Sequence, residues 1–135
     1  MKRIEISQKF VATSEAKGYL DYLKKKQVFK RAIDAYAFAA TYAMKQNADI
    51  SQPMSRKSNS LAEVFRLDKD VLLALEAGVN IMCKRNDLPE PKDSAEVLEL
   101  LTKYAEVGIQ LLQQKWKNKT STSQIQQDIW QMINE

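Results

Sequence analysis

The chain has 135 residues, no histidine, one cysteine, a net charge of +4 and 44% hydrophobic residues, which together favour one domain with its own core. Three glycines and three prolines are too few for the many turns of a β-sandwich or barrel. The lack of histidine and of a second cysteine excludes histidine-dependent catalysis, internal disulfides and thiolate zinc clusters. We therefore predict no catalytic residues, no cofactor and no metal site, and we expect the protein not to be an enzyme.

Positive charge is concentrated in the first third of the chain. Residues 1–48 contain ten Lys and Arg against four acids (+6), and since the whole chain carries +4, residues 49–135 sum to −2. This asymmetry indicates a face that meets a polyanion. No apolar run approaches the roughly 20 residues of a membrane span. The first residues also lack the apolar core of a signal peptide, so we expect a cytoplasmic protein with no membrane partner.

The first residues alternate polar and apolar side chains, which predicts a short strand. Ile4 and Ile6 would share one face of this strand, and Arg3, Glu5 and Ser7 the other. A single strand cannot satisfy its own backbone groups. The segment therefore either pairs with a second chain or forms an extended arm.

A first helix is predicted from Thr13 or Ser14 to about Lys26, and a second from about Arg31 to Gln46. The second is rich in alanine and apolar on nearly all sides, which is typical of a helix that is buried all round. Such a helix lies either inside its own domain or against a partner subunit. Because it is too apolar for a monomer surface, we expect a homodimer or a larger homo-oligomer.

The connection between these two helices is the strongest candidate for a functional site. It carries Lys24, Lys25, Lys26, Lys30 and Arg31 close to a helix N-terminus, where phosphate groups bind favourably. Binding through such contacts would depend strongly on salt, because it releases counterions from the nucleic acid. The alternative is that these side chains only solvate the surface.

Residues 49–60 form the one clear loop, which is polar and contains Pro53. Arg56 and Lys57 within it either contact phosphate or belong to a solvated connector. Further on, Cys83 is expected to be a buried structural thiol rather than a reactive one.

Three further helices are predicted, over residues 68–84, 93–117 and 124–134. Gly108 interrupts the longest of them at a cost of about 1 kcal/mol relative to alanine, which a close helix crossing would justify. The predicted organisation is a helical domain over residues 1–117, followed by a C-terminal helical arm over residues 118–135. Within the domain, a basic N-terminal segment covers residues 1–48, a polar loop covers 49–60 and a helical segment covers 61–117.

The five tyrosines all fall on predicted helices, at Tyr19, Tyr22, Tyr36, Tyr42 and Tyr104. Aromatic residues at helical spacing are typical of a core or an interface, with the hydroxyl at the rim. Stacking on nucleic-acid bases is the less favoured alternative.

Residues 3–47 resemble a ribbon-helix-helix DNA-binding domain. The resemblance is carried by the short strand, the alanine-rich helix and four residues before it, Tyr19, Leu20, Leu23 and Phe29. In that family the strands of two subunits pair and enter the major groove. The resemblance implies that Arg3, Glu5 and Ser7 face base edges, while the backbone near Lys30 and Arg31 holds phosphate.

A longer stretch of the chain, residues 19–112, is similar to small accessory proteins encoded beside bacterial DNA phosphorothioation (Dnd) systems. Two groups of residues carry the similarity, namely Phe29, Asp34, Ala35, Phe38, Ala39 and Ala40, and then Tyr104, Ala105, Gly108, Ile109 and Leu112. The similarity implies a role near DNA modification or restriction, with other proteins of a defence system as partners. It is compatible with the first resemblance if the N-terminal segment faces the DNA.

We therefore predict an all-α fold of four to five helices in one bundle, with or without a short N-terminal strand. The core would centre on the second helix, packed by the helices over 68–84 and 93–117. The predicted function is that of a non-enzymatic DNA-binding accessory or regulatory protein. The alternative is a helical protein–protein adaptor or oligomeric scaffold whose basic face is incidental.

Overall fold

Five helices and one small sheet make up the portion of the chain that the structure, a computed structural model, describes, which is residues 1–52 and 59–134. The elements in chain order are β1 Lys9–Ala12, α1 Ser14–Lys25, α2 Ala32–Lys45, β2 Asn59–Glu63, α3 Lys69–Arg85, α4 Ser94–Lys115 and α5 Thr122–Ile133. A single 3-10 turn joins β2 to α3. The all-α prediction is thus confirmed as a mainly helical fold, which also contains one two-stranded sheet.

The strand itself lies later in the chain than predicted. Residues 3–7 are not a strand, and β1 pairs antiparallel with β2 of the same chain, with Lys9 opposite Glu63. Phe10 and Ala12 are fully buried, so this segment supplies the inward-facing apolar residues that the earlier segment was expected to supply. Since β2 begins at Asn59, the predicted loop over 49–60 is too long at its C-terminal end.

The N-terminal segment is instead held along α3 by one buried carboxylate. Glu76 is fully buried and accepts hydrogen bonds from Arg3 Nε and from the Ile4 backbone N–H, each at 2.6 Å. Ile4 is buried and Ile6 is exposed, so the two side chains do not share a face of the segment. The alternation was misleading because a side chain, rather than a partner strand, satisfies the Ile4 N–H.

A second buried carboxylate fixes the start of α1. Thr13 caps the helix by accepting from the Ala16 N–H at 3.1 Å, as predicted. Its own N–H and hydroxyl donate to Glu106 of α4 at 3.1 and 2.9 Å, and both residues are buried. These bonds tie the β1–α1 junction to the longest helix, which sets the position of α1 relative to α4.

The alanine-rich helix α2 is the centre of the molecule. It packs against α1, α3 and α4, and its alanines from Ala35 to Ala43 are buried within its own chain. At Gly108 of α4, a Cβ atom would lie 1.9 Å from the carbonyl oxygen of Ala39, so the predicted close helix crossing is confirmed. Of the two environments open to α2, the structure therefore has the intramolecular one. Its apolar surface no longer supplies a reason to expect an oligomer.

The core also contains two buried tyrosines, Tyr36 and Tyr104, of which Tyr36 is fully buried. Its hydroxyl hydrogen-bonds to Thr102 Oγ1 at 3.3 Å, and its ring lies 5.2 Å from that of Phe10. Burial raises the pKa of Tyr36 above its ordinary value of about 10, and the hydrogen bond with Thr102 opposes this only in part.

We expect this burial to make the protein sensitive to alkali. The unfolded chain loses the Tyr36 proton near pH 10 while the folded chain keeps it, so the stabilising contribution is complete below about pH 10 and declines as the pH rises further. The free energy of unfolding in urea, measured between about pH 9 and about pH 11, should fall less steeply in Tyr36→Phe, by up to about 1.4 kcal/mol per pH unit. An identical slope in the variant would contradict this assignment.

The remaining helices begin close to the predicted residues. Asp93 accepts from the Glu96 N–H at 2.9 Å and starts α4, and Asp68 occupies the cap position of α3 without a side-chain cap bond. Ser121 starts α5 with a complete capping box. Cys83 is buried, as predicted, and burial raises the pKa of its thiol.

Helix α5 lies against its own chain. Ile125 and Met132 are buried, and Lys45 Nζ of α2 donates to the Met132 carbonyl at 3.0 Å. In contrast, Trp130 and Ile133 are each 67% exposed. The helix therefore buries one stripe and leaves two large apolar side chains outside it.

Candidate nucleic-acid interface

The connection from α1 to α2 presents its lysines on the surface. Helix α1 ends at Lys25, and Gln27 then takes a left-handed backbone conformation with φ 61°, which turns the chain toward α2. Lys24, Lys25 and Lys30 are exposed. Lys24 and Lys30 line one hollow of about 460 Å³ together with Gln27 and Phe29. Two of the predicted phosphate ligands are thus brought side by side by the turn.

A larger groove of about 580 Å³ lies between α1 and the C-terminal end of α4. Tyr19 and Tyr22 line one wall, since residues three apart share a side of a helix, and their rings stack at 5.7 Å between centroids. The other wall contains Trp116, Lys117 and Lys119. Aromatic rings and ammonium groups from two distant regions of the sequence therefore border one groove.

The Tyr19 hydroxyl remains protonated across the physiological range. Partial burial and the neighbouring Tyr22 raise the pKa of Tyr19 to about 12. Gly18 also lines the groove, and a Cβ atom there would contact nothing within 4 Å. The two tyrosines of this wall are thus uncharged, and the backbone at Gly18 is open to the groove.

Lys26 links the two walls. Its ammonium donates to the Thr120 carbonyl at 2.8 Å and lies 5.6 Å from the centre of the Tyr22 ring. The Thr122 hydroxyl donates back to the Lys26 carbonyl at 2.6 Å. Lys26 is therefore partly engaged by the chain itself, whereas its neighbour Lys25, three residues after Tyr22, is exposed on the same side of α1.

We call the lysines of these two connections the basic end, which comprises Lys24, Lys25, Lys26, Lys30, Lys117 and Lys119. Acidic side chains near it are Glu15, which lines the groove, Asp21, which pairs with Lys17 at 2.8 Å, and Asp128, which lies 3.8 Å from Lys115. Among the residues described, none of the basic end forms an ion pair with a carboxylate. Of the nearby acids, Asp21 and Asp128 instead lie within ion-pairing distance of lysines outside the basic end.

The other predicted site residues lie elsewhere or are already engaged. Arg31 forms two hydrogen bonds with Asp34, at 2.8 and 3.1 Å, and a third with the Arg66 carbonyl at 2.7 Å. Arg3 pairs with the buried Glu76 at 2.6 Å.

Glu5 and Ser7 are exposed on the segment along α3 and not in the α1–α2 connection. The loop residues Arg56 and Lys57 lie outside the described residues. The structure therefore groups the predicted lysines with one another, and not with Arg3, Glu5 and Ser7.

Sequence reasoning did not assign the groove or its second wall. Tyr22 and Lys26 are four residues apart, which is a visible signal for one helix face. Lys117 and Lys119 were not among the predicted site residues, because their closeness to α1 depends on how α4 packs.

Comparison with known proteins gives no relative, since no protein-family model, curated protein or solved structure matches this chain. Within the described ranges, no three His, Cys, Asp or Glu side chains are placed to hold a metal ion. No helix there is both long and apolar enough to cross a bilayer.

Proposed function

We propose that this protein is a non-enzymatic DNA-binding accessory or regulatory protein, and that the basic end is its DNA-contacting surface. The observation that carries the proposal is the bond from Lys26 to Thr120, which joins the lysine-rich α1–α2 connection to the groove that Lys117 and Lys119 line. Six lysines from two connections, without carboxylate partners in the described chain, form a surface that a phosphate backbone complements.

Tyrosine rings among the lysines favour nucleic acid over other polyanions. Bases stack on aromatic side chains while lysines follow the backbone, as in proteins that bind single strands. Tyr22, which is 38% exposed, places an aromatic ring beside Lys25. Single-stranded and duplex DNA therefore both belong in the test.

The resemblance to Dnd-associated accessory proteins supports a cellular context of DNA modification or defence. In that context a small binder would bring modification or restriction enzymes to DNA, or regulate them, without catalysing a reaction. This aspect of the proposal depends on the residues shared between 29 and 112, and the basic end supports it only by favouring DNA as a ligand.

An adaptor without nucleic-acid binding is the second candidate, and one observation favours it. Trp130 and Ile133 are each 67% exposed, beside a groove of about 230 Å³ that contains Phe38 and Tyr42. Large exposed apolar side chains beside a groove are typical of protein-binding surfaces.

A titration with fluorescent DNA separates the two candidates. We expect the protein to bind mixed-sequence duplex and single-stranded DNA with an affinity that falls steeply between about 50 mM and about 200 mM salt. The variant Lys25→Gln/Lys30→Gln removes two phosphate contacts, so its slope of log affinity against log salt should fall by about two units. Its affinity at about 100 mM salt should be at least about tenfold lower.

The matched control is Lys2→Gln/Lys92→Gln, which removes the same charge from exposed lysines. Lys92 precedes α4, whose 22 residues place it about 33 Å from the groove. This control should keep the wild-type slope. Equal losses in both variants would indicate a net-charge effect without an interface, and no binding to either DNA at the lowest salt would contradict the proposal.

A further inference from the structure

Large exposed apolar side chains are unevenly distributed over the described surface. Seven of the ten lie on α3, on the segments that flank it in sequence or on the N-terminal segment bonded to Glu76. The seventh, Val71, lies on another side of α3, and we call the other six the α3 face, which comprises Met1, Ile6, Phe65, Leu73, Ile81 and Leu88. Their exposed fractions range from 45% to 62%. Apolar patches of this kind on a small protein mark sites that bind another molecule.

Several contacts join these residues into one surface. Met1, Ile81 and Leu88 line a single hollow of about 300 Å³. The Phe65 N–H donates to the Ile6 carbonyl at 3.1 Å. Leu73 lies eight residues before Ile81, so the two side chains are about 80° apart around α3 and lie at the two edges of one broad stripe.

The surface is held in place and not attached loosely. Glu76 binds Arg3 and Ile4, which lie between Met1 and Ile6, so both exposed side chains are fixed along the helix. A partner would therefore meet a preformed surface, which lowers the entropic cost of association.

The order of residues along α3 points to a second copy of this chain as the partner. Ala77 stands midway between Leu73 and Ile81, and also midway between Asp70 and Lys84. All of these side chains are exposed except Ala77, which is half-buried. A two-fold axis passing beside Ala77 would place Leu73 against Ile81 and Asp70 against Lys84 of the other copy.

Such self-complementarity is what an interface between identical subunits needs. In a two-fold dimer the same patch meets itself. If a residue i contacts residue j of the other copy, then j also contacts i, so the two must be complementary. Here Leu73 opposes Ile81 and Asp70 opposes Lys84, while the small Ala77 lets the helices approach closely. The cations Lys69 and Arg85, which the same axis relates, lie about 80° around α3 from Ala77, at the flanks of the contact. We propose that two copies of this chain pair antiparallel through the α3 face.

The position of Ala77 gives the most specific test. A residue on a two-fold axis is the one position where a cysteine meets its own copy, within the range of about 4.4–6.8 Å between Cα atoms that a disulfide spans. The only native cysteine, Cys83, is buried. We expect Ala77→Cys to form a covalent dimer on mild oxidation, and Trp130→Cys, a more exposed site on α5, to remain mostly uncrosslinked. The reverse pattern would overturn the proposal.

Sedimentation equilibrium of the full chain tests the pairing without crosslinks. The expected mass is twice 15.5 kDa at micromolar concentration. Ile81→Asp places a carboxylate against Leu73 of the other copy, so its dimer dissociation constant should rise at least about thirtyfold. Trp130→Ser should leave the constant unchanged, and circular dichroism checks that both variants fold. A monomeric wild type throughout, or loss of the dimer only in Trp130→Ser, would overturn the proposal.

Charge reversal tests the register. Asp70→Lys and Lys84→Asp should each weaken the dimer, because each puts like charges opposite one another, and the double variant should restore it. A double variant as weak as the single ones would overturn the antiparallel pairing about Ala77. The inference is independent of DNA binding, because the α3 face contains no residue of the basic end.

Discussion

Replacing Gly108 by alanine is expected to destabilise the protein by about 3 kcal/mol or more. The added Cβ atom would lie 1.9 Å from the carbonyl oxygen of Ala39 and 2.5 Å from its carbonyl carbon. Both are backbone atoms, so no side-chain rotation can relieve the overlap and α2 must move away from α4. That crossing is the most extensive contact between two elements of the fold, and its separation should loosen the whole core.

Gly18 provides the matched control for this prediction. It lies on the exposed side of α1, and a Cβ atom there would contact nothing within 4 Å. Gly18→Ala should therefore stabilise the protein by about 0.5–1 kcal/mol through helix propensity alone. Urea unfolding of both variants gives the comparison. If Gly108→Ala were as stable as the wild type, the close crossing of α2 and α4 would be incorrect.

Removing the side chain of Arg3 is expected to cost about 2 kcal/mol of stability. Glu76 is fully buried, and Arg3 is the one cation within ion-pairing distance of it among the residues described. Arg3→Ala would leave this buried carboxylate with the Ile4 N–H as its remaining donor within the same described ranges. The loss should stay below that of a fully buried pair, because the Arg3 side chain is 56% exposed and water can replace some of its contact.

A double-mutant cycle isolates this interaction. Glu76→Gln removes the charge but keeps an acceptor for Ile4, so Arg3→Ala should cost about 1 kcal/mol less in that background. Lys17→Ala serves as a control, because its ion pair with Asp21 is exposed on both sides and should contribute less than about 0.5 kcal/mol. Equal costs of Arg3→Ala with Glu76 and with Gln at position 76 would show that the pair does not stabilise the fold.

The variant Arg3→Ala also tests whether Arg3 belongs to the DNA-contacting surface. The resemblance to ribbon-helix-helix proteins implied that Arg3 faces base edges from a paired strand, whereas here Arg3 is not in a strand and forms an ion pair with α3. We therefore expect Arg3→Ala to change stability more than DNA affinity.

The helices were predictable because their signals are local. Thr13 and Asp93 cap their helices, and each signal is complete within four residues. The apolar character of α2 predicted a helix buried all round, and Gly108 predicted its close neighbour. These properties depend on periodicity and on side-chain size, both of which can be read along a single segment.

The sheet and the groove were not predictable because both depend on distant contacts. Lys9 pairs with Glu63, more than fifty residues away, and nothing in either short segment specifies the other. Likewise Lys26 and Thr120 meet only after α4 has packed on α1. The roles of the two buried carboxylates were unpredictable for the same reason. In the sequence Glu76 and Glu106 are ordinary polar residues of amphipathic helices, and their backbone partners, Ile4 and Thr13, are distant along the chain.

The bonds between Lys26 and the chain near Thr120 have a consequence for biosynthesis. One wall of the groove is translated early and the other nearly a hundred codons later, so a chain still attached to the ribosome exposes Tyr19 and Tyr22 without Trp116 and Lys117 opposite them. A nascent chain would therefore carry the early lysines but not the finished groove. The complete set of cations comes together only after synthesis of the C-terminal segment.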